Sequence, residues 1–380
     1  MTQIRLRPIE PVIGIDASRL SVGQRTGTET YTWETLRAMA ALNEPDAIRL
    51  YLNANALPSE SNFPWDIRSI PFPRFWTHAR LSLEIAIHPP GVLWVPAHVI
   101  PINHPKSVVT IHDLGYLHVP EGHTDRQRRM LDYTTRWSVR TAAHIIAISE
   151  TTKRDLVERY RVAEQNITVI PHGVNTSLTR PDDVTIAETM QRLGLTRPFV
   201  LAVGTVQPRK NYDGLARALG AIKIAGLPHQ LVIAGKRGWL ADEVHRKIDA
   251  SGNADRVHQL GYVSEHDLAA LYAAADLMVF PSWYEGFGLP ALEAMQCGTP
   301  VVSSNRGALP ESVGDAGLIV DPGDEAALGQ TLVRGLTDDA LRQRLIAAGR
   351  RRAREFTWER TARLTLEVLR NQRDETFRRK

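Results

Sequence analysis

At 380 residues the chain exceeds what one ordinary hydrophobic core supports, so two domains are expected. A content of 43% hydrophobic and 23% charged residues is that of a globular protein, and no apolar run reaches the length of a membrane span. The net charge of +4 is basic without being extreme, and the one cysteine, Cys297, excludes an intrachain disulfide or a cysteine-based metal site and fits a reducing compartment.

In chain order, residues 1–8 hold no long apolar stretch, so no signal peptide is expected. Residues 11–16, with Val12, Ile13 and Ile15, read as a buried strand. A polar loop follows over 18–30. A helix is expected from near Thr28 to Leu42, with Tyr31, Leu36, Met39 and Ala40 at helical spacing. Strand, loop and helix with a glycine at the helix entry can hold an anion on free N–H groups. No Gly-Lys-Ser/Thr follows, so this is not a Walker loop. Further strands are expected at 48–52, 67–70, 92–95 and 108–111. The last ends in His112-Asp113-Leu114. A histidine at the C-terminal end of an α/β strand sits where sites are built; the alternative is a structural histidine capping a turn with Asp113. A strand at 143–148 precedes a helix begun by Ser149. Residues 169–174 run into a Pro171/Gly173 break, where the domain boundary is placed.

The second half restarts in the same idiom. A strand at 199–203 leads to a loop at 204–211 and a helix from about Tyr212. Strands follow at 230–234 and 257–263, and Ser264 is suited to cap the next helix, with Asp267 at its third position. Strands at 275–281, 300–303 and 317–320 come next. The chain is helical from Asp324, and a final basic helix opens at 356–358. Strands alternating with helices twice over predict two doubly wound α/β domains, 1–173 and 174–355, followed by a closing segment, 356–380.

Basic residues crowd three places: Arg126, Arg128, Arg129, Arg136 and Arg140; Arg350, Arg351, Arg352 and Arg354; and Arg378 to Lys380. They read either as solvated helix faces or as attraction for anionic lipid head groups or a phosphorylated ligand. No zinc-finger spacing or aromatic RNA-binding signature accompanies them, so nucleic acid is not an expected partner.

The chemistry concentrates in 282–293. Glu285 and Glu293 flank Gly286-Phe287-Gly288-Leu289-Pro290, between a buried strand and a helix. Glycines admit a close ligand, and the helix start offers N–H groups to an anion. Glu293, in the first helical turn, suits vicinal hydroxyls such as a ribose, and Glu285 suits sugar hydroxyls. Arg209 and Lys210, after one strand and before a helix, would neutralise a diphosphate leaving group. No Asp-x-Asp and no His/Cys cluster of metal spacing occurs, so the expected site is metal-free.

The stretch 285–293 resembles the Glu-x7-Glu signature of retaining glycosyltransferases of family 4, which have the GT-B fold of two facing Rossmann-like domains. Residues 204–211 are similar to the family's phosphate loop as found in bacterial mannosyltransferases of polysaccharide assembly. Segments 14–17, 25–27, 112–114, 148–150, 261–264, 305–311 and 314–317 match in order, so the resemblance covers nearly the whole chain. It implies transfer of a hexose, mannose from GDP-mannose, onto a glycan or lipid-linked acceptor. The nucleotide sugar is a substrate, and no cofactor is implied.

By this resemblance Glu293 binds the ribose, and Arg209 and Lys210 the phosphates. Glu285 holds the sugar with the amides of Phe287, Gly288 and Leu289. Tyr262 and Val263 lie along the base, Gly27 closes over the diphosphate, and His112 meets the transferred sugar. The N-terminal domain takes the acceptor, and the last helix packs back on it. Many relatives carry arginine directly after the strand-end glycine, where this chain has Thr205. No protein nucleophile is evident; the departing phosphate takes the acceptor proton. The expected location is cytoplasmic, with peripheral attachment to the inner membrane face. The alternatives are a UDP-hexose-dependent enzyme of the same family, a sugar-nucleotide epimerase or hydrolase, and a nucleotide-sugar or nucleic-acid binding module.

Overall fold

The computed structural model describes residues 12–21, 27–55, 62–176 and 178–378. Its strands form two parallel sheets. The first contains β1 (Ile13–Asp16), β2 (Ile48–Leu52), β3 (Asp66–Ser69), β4 (Val92–Val95), β5 (Ser107–Ile111), β6 (His144–Ala147) and β7 (Ile167–Val169), in the order β3-β2-β1-β4-β5-β6-β7. The second contains β8 (Phe199–Val203), β9 (Gln230–Ala234), β10 (Val257–Gly261), β11 (Leu277–Phe280), β12 (Val301–Ser304) and β13 (Leu318–Val320), in the order β10-β9-β8-β11-β12-β13. Helices cover both faces, so the inner strands β1, β4, β5, β8 and β11 are buried throughout, and β4, β8 and β11 are apolar at every position.

In each sheet the chain winds outward one way, returns, and winds the other way. The order reverses between β1 and β4 in the first sheet and between β8 and β11 in the second. Neighbouring strands that diverge there leave a crevice at their C-terminal ends. The two crevices face each other, and the candidate site lies between them.

Several expected boundaries shift by a residue or two, and one shift has a cause that bears on the site. The strand expected at 257–263 ends at Gly261, whose φ of +71° turns the chain off the sheet. Tyr262 and Val263 therefore sit on a rim and not within the sheet. The helix at 77–87, which opens with a wide π turn, and the helix Asp183–Arg192 have no counterpart in the sequence reading. Arg25, Thr26 and the terminal Arg379-Lys380 lie outside the described residues.

The last helix, Trp358–Arg378, leaves the second sheet beside the linker: Val174 N–H donates to the Phe356 carbonyl at 3.0 Å. It then lies along the helix Gly27–Leu42. Trp358, Ala362, Leu366 and Leu369 join the core of the first sheet, while Arg370 and Arg373 pair with Glu44 and Asp46.

Candidate active site

The crevice between the sheets is a cleft of 820 Å3. Each residue assigned a role from the sequence lines it: Gly27, His112, Arg209, Lys210, Tyr262, Val263, Glu285, Phe287, Gly288, Leu289 and Glu293. The topology accounts for the meeting of distant residues. Arg209 and Lys210 follow β8, and Glu285 follows β11; these strands are neighbours at the switch point, so a separation of 75 residues in sequence closes to contact.

Glu285 is the hub. Its Oε1 accepts from Lys210 Nζ at 2.7 Å and its Oε2 from Arg209 Nη1 at 2.7 Å. Lys210 is buried, with Nζ 4.5 Å from the centre of the Phe280 ring. Burial alone would raise the Glu285 carboxyl, but the two cations outweigh it and hold the group at about 2. The sequence reading assigned the cations to phosphate and the carboxylate to sugar as separate tasks. The structure ties the three into one ion cluster, because a lysine this buried is stable only beside a counter-charge.

Glu293 lies on the helix Leu289–Cys297, which follows β11. Its Oε2 accepts from the Tyr272 hydroxyl at 2.8 Å. Burial pushes its carboxyl up to about 7; Tyr272 opposes this and the nearby Glu265 adds to it. Tyr262, 55% exposed, offers a free ring face at the same end of the cleft.

From the opposite wall comes His112, at the end of β5. Its Nε2 is 2.7 Å from the Pro96 carbonyl, at the end of β4. A carbonyl only accepts, so Nε2 carries the proton and Nδ1 the lone pair. Burial, then the adjacent His98, pushes the ring's pKa down to about 4, so it is neutral at pH 7. A neutral imidazole with an open Nδ1 accepts from a hydroxyl; it does not donate a proton as an acid. Asp113 Oδ1 accepts from the Gly115 amide at 2.9 Å, so the turn after the strand is capped by Asp113, and His112 is held by the Pro96 carbonyl.

Three cleft residues escaped the sequence reading. Lys236, after β9, and Glu265, after the Ser264 cap, line the cleft together with Tyr262 and Glu293. His172 lies in the linker, stacked between Tyr31 and Trp358, with Nε2 buried and unpartnered. The Pro-His-Gly break in the sequence marked a linker and gave no sign that its histidine returns to the cleft.

Two facing parallel α/β halves, with a buried ion cluster at the switch point of one and His112 at a strand end of the other, have the architecture of a GT-B glycosyltransferase. Residues 25–178 match the Glycosyltransferase Family 4 model and residues 186–352 match Glycosyl transferases group 1. The chain is 30% identical over 355 residues to the O-antigen chain mannosyltransferase B of Escherichia coli, covering 88% of this chain and 93% of that one. It is 38% identical over 246 residues to the D-inositol 3-phosphate glycosyltransferase of Salinispora arenicola, covering 60% of this chain and 55% of that one. Sucrose-phosphate synthase from Thermosynechococcus elongatus superposes with a TM-score of 0.74 at 24% identity over 95% of this chain and 98% of that one, a likeness of fold. The chain belongs to the family 4, group 1 glycosyltransferases. It is an enzyme that takes a sugar-nucleotide donor and a glycan-type acceptor.

Proposed function

We propose that the enzyme transfers mannose from GDP-mannose, with retention, to a glycan or lipid-linked acceptor in polysaccharide or glycolipid assembly. Residues 1–173 would serve the acceptor, 174–355 the donor, and 356–380 the crossover. One observation carries this reading: the Lys210–Glu285–Arg209 cluster faces a neutral His112 across a cleft whose far end holds Glu293 and Tyr262.

The ribose diol donates to Glu293, and the base stacks on Tyr262. The diphosphate lies against Lys210, Arg209 and the N–H groups at the start of the helix Leu289–Cys297. The sugar sits over the amides of Phe287, Gly288 and Leu289, with hydroxyls on Glu285 and His112 Nδ1. The bond from C1 to the diphosphate oxygen breaks, and the departing charge falls on the cations. The acceptor oxygen bonds to C1 from the same face, and its proton passes to the leaving diphosphate. The protein supplies orientation and charge and forms no covalent intermediate. No step calls for a divalent ion.

Guanine is favoured because Glu265 lines the base end. The N1–H and N2–H groups of guanine donate to a carboxylate, whereas the outer edge of uracil is mostly acceptor. Mannose is favoured by the similarity to the E. coli O-antigen mannosyltransferase. The test is a donor panel of GDP-mannose, GDP-glucose, UDP-glucose and ADP-glucose, read as nucleotide release on adding acceptor oligosaccharide. Turnover of GDP-mannose is expected, and preference for a UDP-sugar overturns the donor assignment.

For location, no helix among the described residues is long and apolar enough to cross a membrane. A peripheral site is carried by the helix Asp125–Thr141, where exposed Met130 and Tyr133 accompany exposed Arg126 and Arg129. Exposed Ile102 follows Ile100, whose carbonyl accepts from Trp137 of that helix, so the apolar face continues beyond it. Apolar insertion flanked by arginine suits an anionic bilayer surface.

A further inference from the structure

The loop that carries Glu285 also grips the opposite half of the molecule. Tyr284, the residue before it, is almost wholly buried, and its ring lies flat on His118 of the first half, with centroids 4.3 Å apart and planes at 9°. The Tyr284 hydroxyl donates to Asp155 Oδ2 at 2.6 Å, and His118 Nε2 meets the same oxygen at 2.8 Å. From the helix Leu309–Val313, Glu311 also reaches across: its two carboxylate oxygens accept from the Glu150 and Thr151 amides at 2.8 and 3.2 Å, capping the helix Glu150–Tyr160 from the other half. Thr151 Oγ1 returns a bond to the Gly307 carbonyl at 3.3 Å.

We infer that Tyr284, through its hydroxyl bond to Asp155 and its stack on His118, is a positioning residue that holds the cleft closed and keeps His112 in register with the Lys210–Glu285–Arg209 cluster.

The geometry supports this in three ways. Tyr284 is bonded on both sides of the interface: its own carbonyl accepts from Arg209 at 2.5 Å, so the clamp is continuous with the ion cluster. A hydrogen bond to a carboxylate in a buried setting is stronger and more directional than a neutral one. Burial, then Asp155, raises the phenol's pKa, so Tyr284 remains a donor. His118 and Asp155 belong to separate segments of the first half, the short helix Gly115–His118 and the helix Glu150–Tyr160. One aromatic ring thus fixes two elements that flank the His112 strand end. The phenol touches neither the nucleotide end nor the cations' phosphate face, so its loss should change turnover and not nucleotide binding.

This inference rests on the transferase reading for its kinetic arm alone. Full-length wild type, Tyr284→Phe, Asp155→Asn and the double variant are compared. Phenylalanine keeps the stack and removes the bond. The first arm is hydrogen exchange at the Glu150 and Thr151 amides in the ligand-free protein, which needs no donor. Faster exchange at these two amides in Tyr284→Phe, beyond any change at the amides of the sheet strands, is expected; unchanged exchange overturns the clamp. The second arm uses whichever nucleotide sugar of the panel the wild type turns over. Tyr284→Phe should lower kcat about tenfold, with Kd for the corresponding nucleoside diphosphate within twofold of wild type. In the Asp155→Asn background the same substitution should cost less than threefold. Wild-type kcat in Tyr284→Phe, a loss shared by Kd, or costs that multiply in the double variant would each contradict the role. A panel in which GDP-mannose fails and another donor works refutes the donor assignment and leaves both arms readable.

Discussion

Gly286 packs directly against His112: a Cβ on the glycine would stand 2.1 Å from the His112 carbonyl oxygen and 2.6 Å from Asp113 Cβ. The residue after the hub carboxylate is therefore a point of direct backbone contact between the two halves, and only a hydrogen fits there. Gly286→Ala should force the halves apart near the reacting centre. A misplacement of about 1 Å costs on the order of a hundredfold in rate. Nucleotide binding, which draws on one half, should persist. Steady-state kinetics beside calorimetric binding of the nucleoside diphosphate checks this.

Lys210→Met should lower kcat by roughly a hundred- to a thousandfold through loss of one cation on the leaving group. It should also destabilise the fold. Glu285 is left buried with Arg209 alone, and breaking a buried ion pair costs ~3 kcal/mol or more. A urea titration of the variant reads this directly. An unchanged midpoint would show that the cluster is not a structural unit.

If Glu293 holds the ribose as proposed, donor binding should depend on pH, because two hydroxyls donating to its carboxylate need the ionised form. With the carboxyl raised to about 7, Kd for the nucleotide should fall roughly tenfold between about pH 6 and pH 8. The stability effect has the opposite sign. The native state binds the extra proton between the ordinary carboxyl range and 7, so stability declines as pH rises through that window. Glu293→Gln should remove both dependences and weaken nucleotide binding at all pH values.

His112 and Glu285 give the complementary acid-side behaviour. The ring's pKa is lowered to about 4, so its contribution is present above the ordinary histidine value and is lost as pH falls toward 4. Glu285, held at about 2, keeps its contribution until still lower pH. Between about pH 6 and pH 4 the thermal midpoint of His112→Asn should change more favourably than that of wild type, by the component that charging the ring costs.

On the helix Asp125–Thr141, Arg126→Glu with Arg129→Glu should reduce co-sedimentation with phosphatidylglycerol vesicles more than tenfold. Each basic residue near such a surface is worth about 1 kcal/mol. Zwitterionic vesicles should show little difference between variant and parent. Equal sedimentation on both surfaces would leave these arginines as a solvated helix face.

Much of this architecture was legible in the sequence because its signals are local. The runs 48–52, 92–95, 199–203 and 230–234 are buried strands whose patterns coincide with β2, β4, β8 and β9. The ends of β8 and β11 announced the site through Gly204, Arg209, Glu285 and Glu293, residue types whose chemistry is specific at a strand end. The Lys210–Glu285 bond was not legible, since it depends on which strands become neighbours across the switch point. Tyr284 looked like one aromatic in an aromatic loop; its partners, His118 and Asp155, lie in the other half of the chain. The helix at 77–87 was missed because a π turn does not keep the 3.6-residue period. His172 was missed for a similar reason, as a break in pattern says nothing about where the broken segment packs.

The central claim is that the Lys210–Glu285–Arg209 cluster carries a retaining mannosyl transfer from a guanosine nucleotide. Its most direct measurement is proton NMR of the product formed from GDP-α-mannose and an acceptor oligosaccharide, with UDP-glucose in parallel. An α-linked mannoside from GDP-mannose, with no product from UDP-glucose, is the predicted result. A β-linked product, or transfer from UDP-glucose alone, would contradict it.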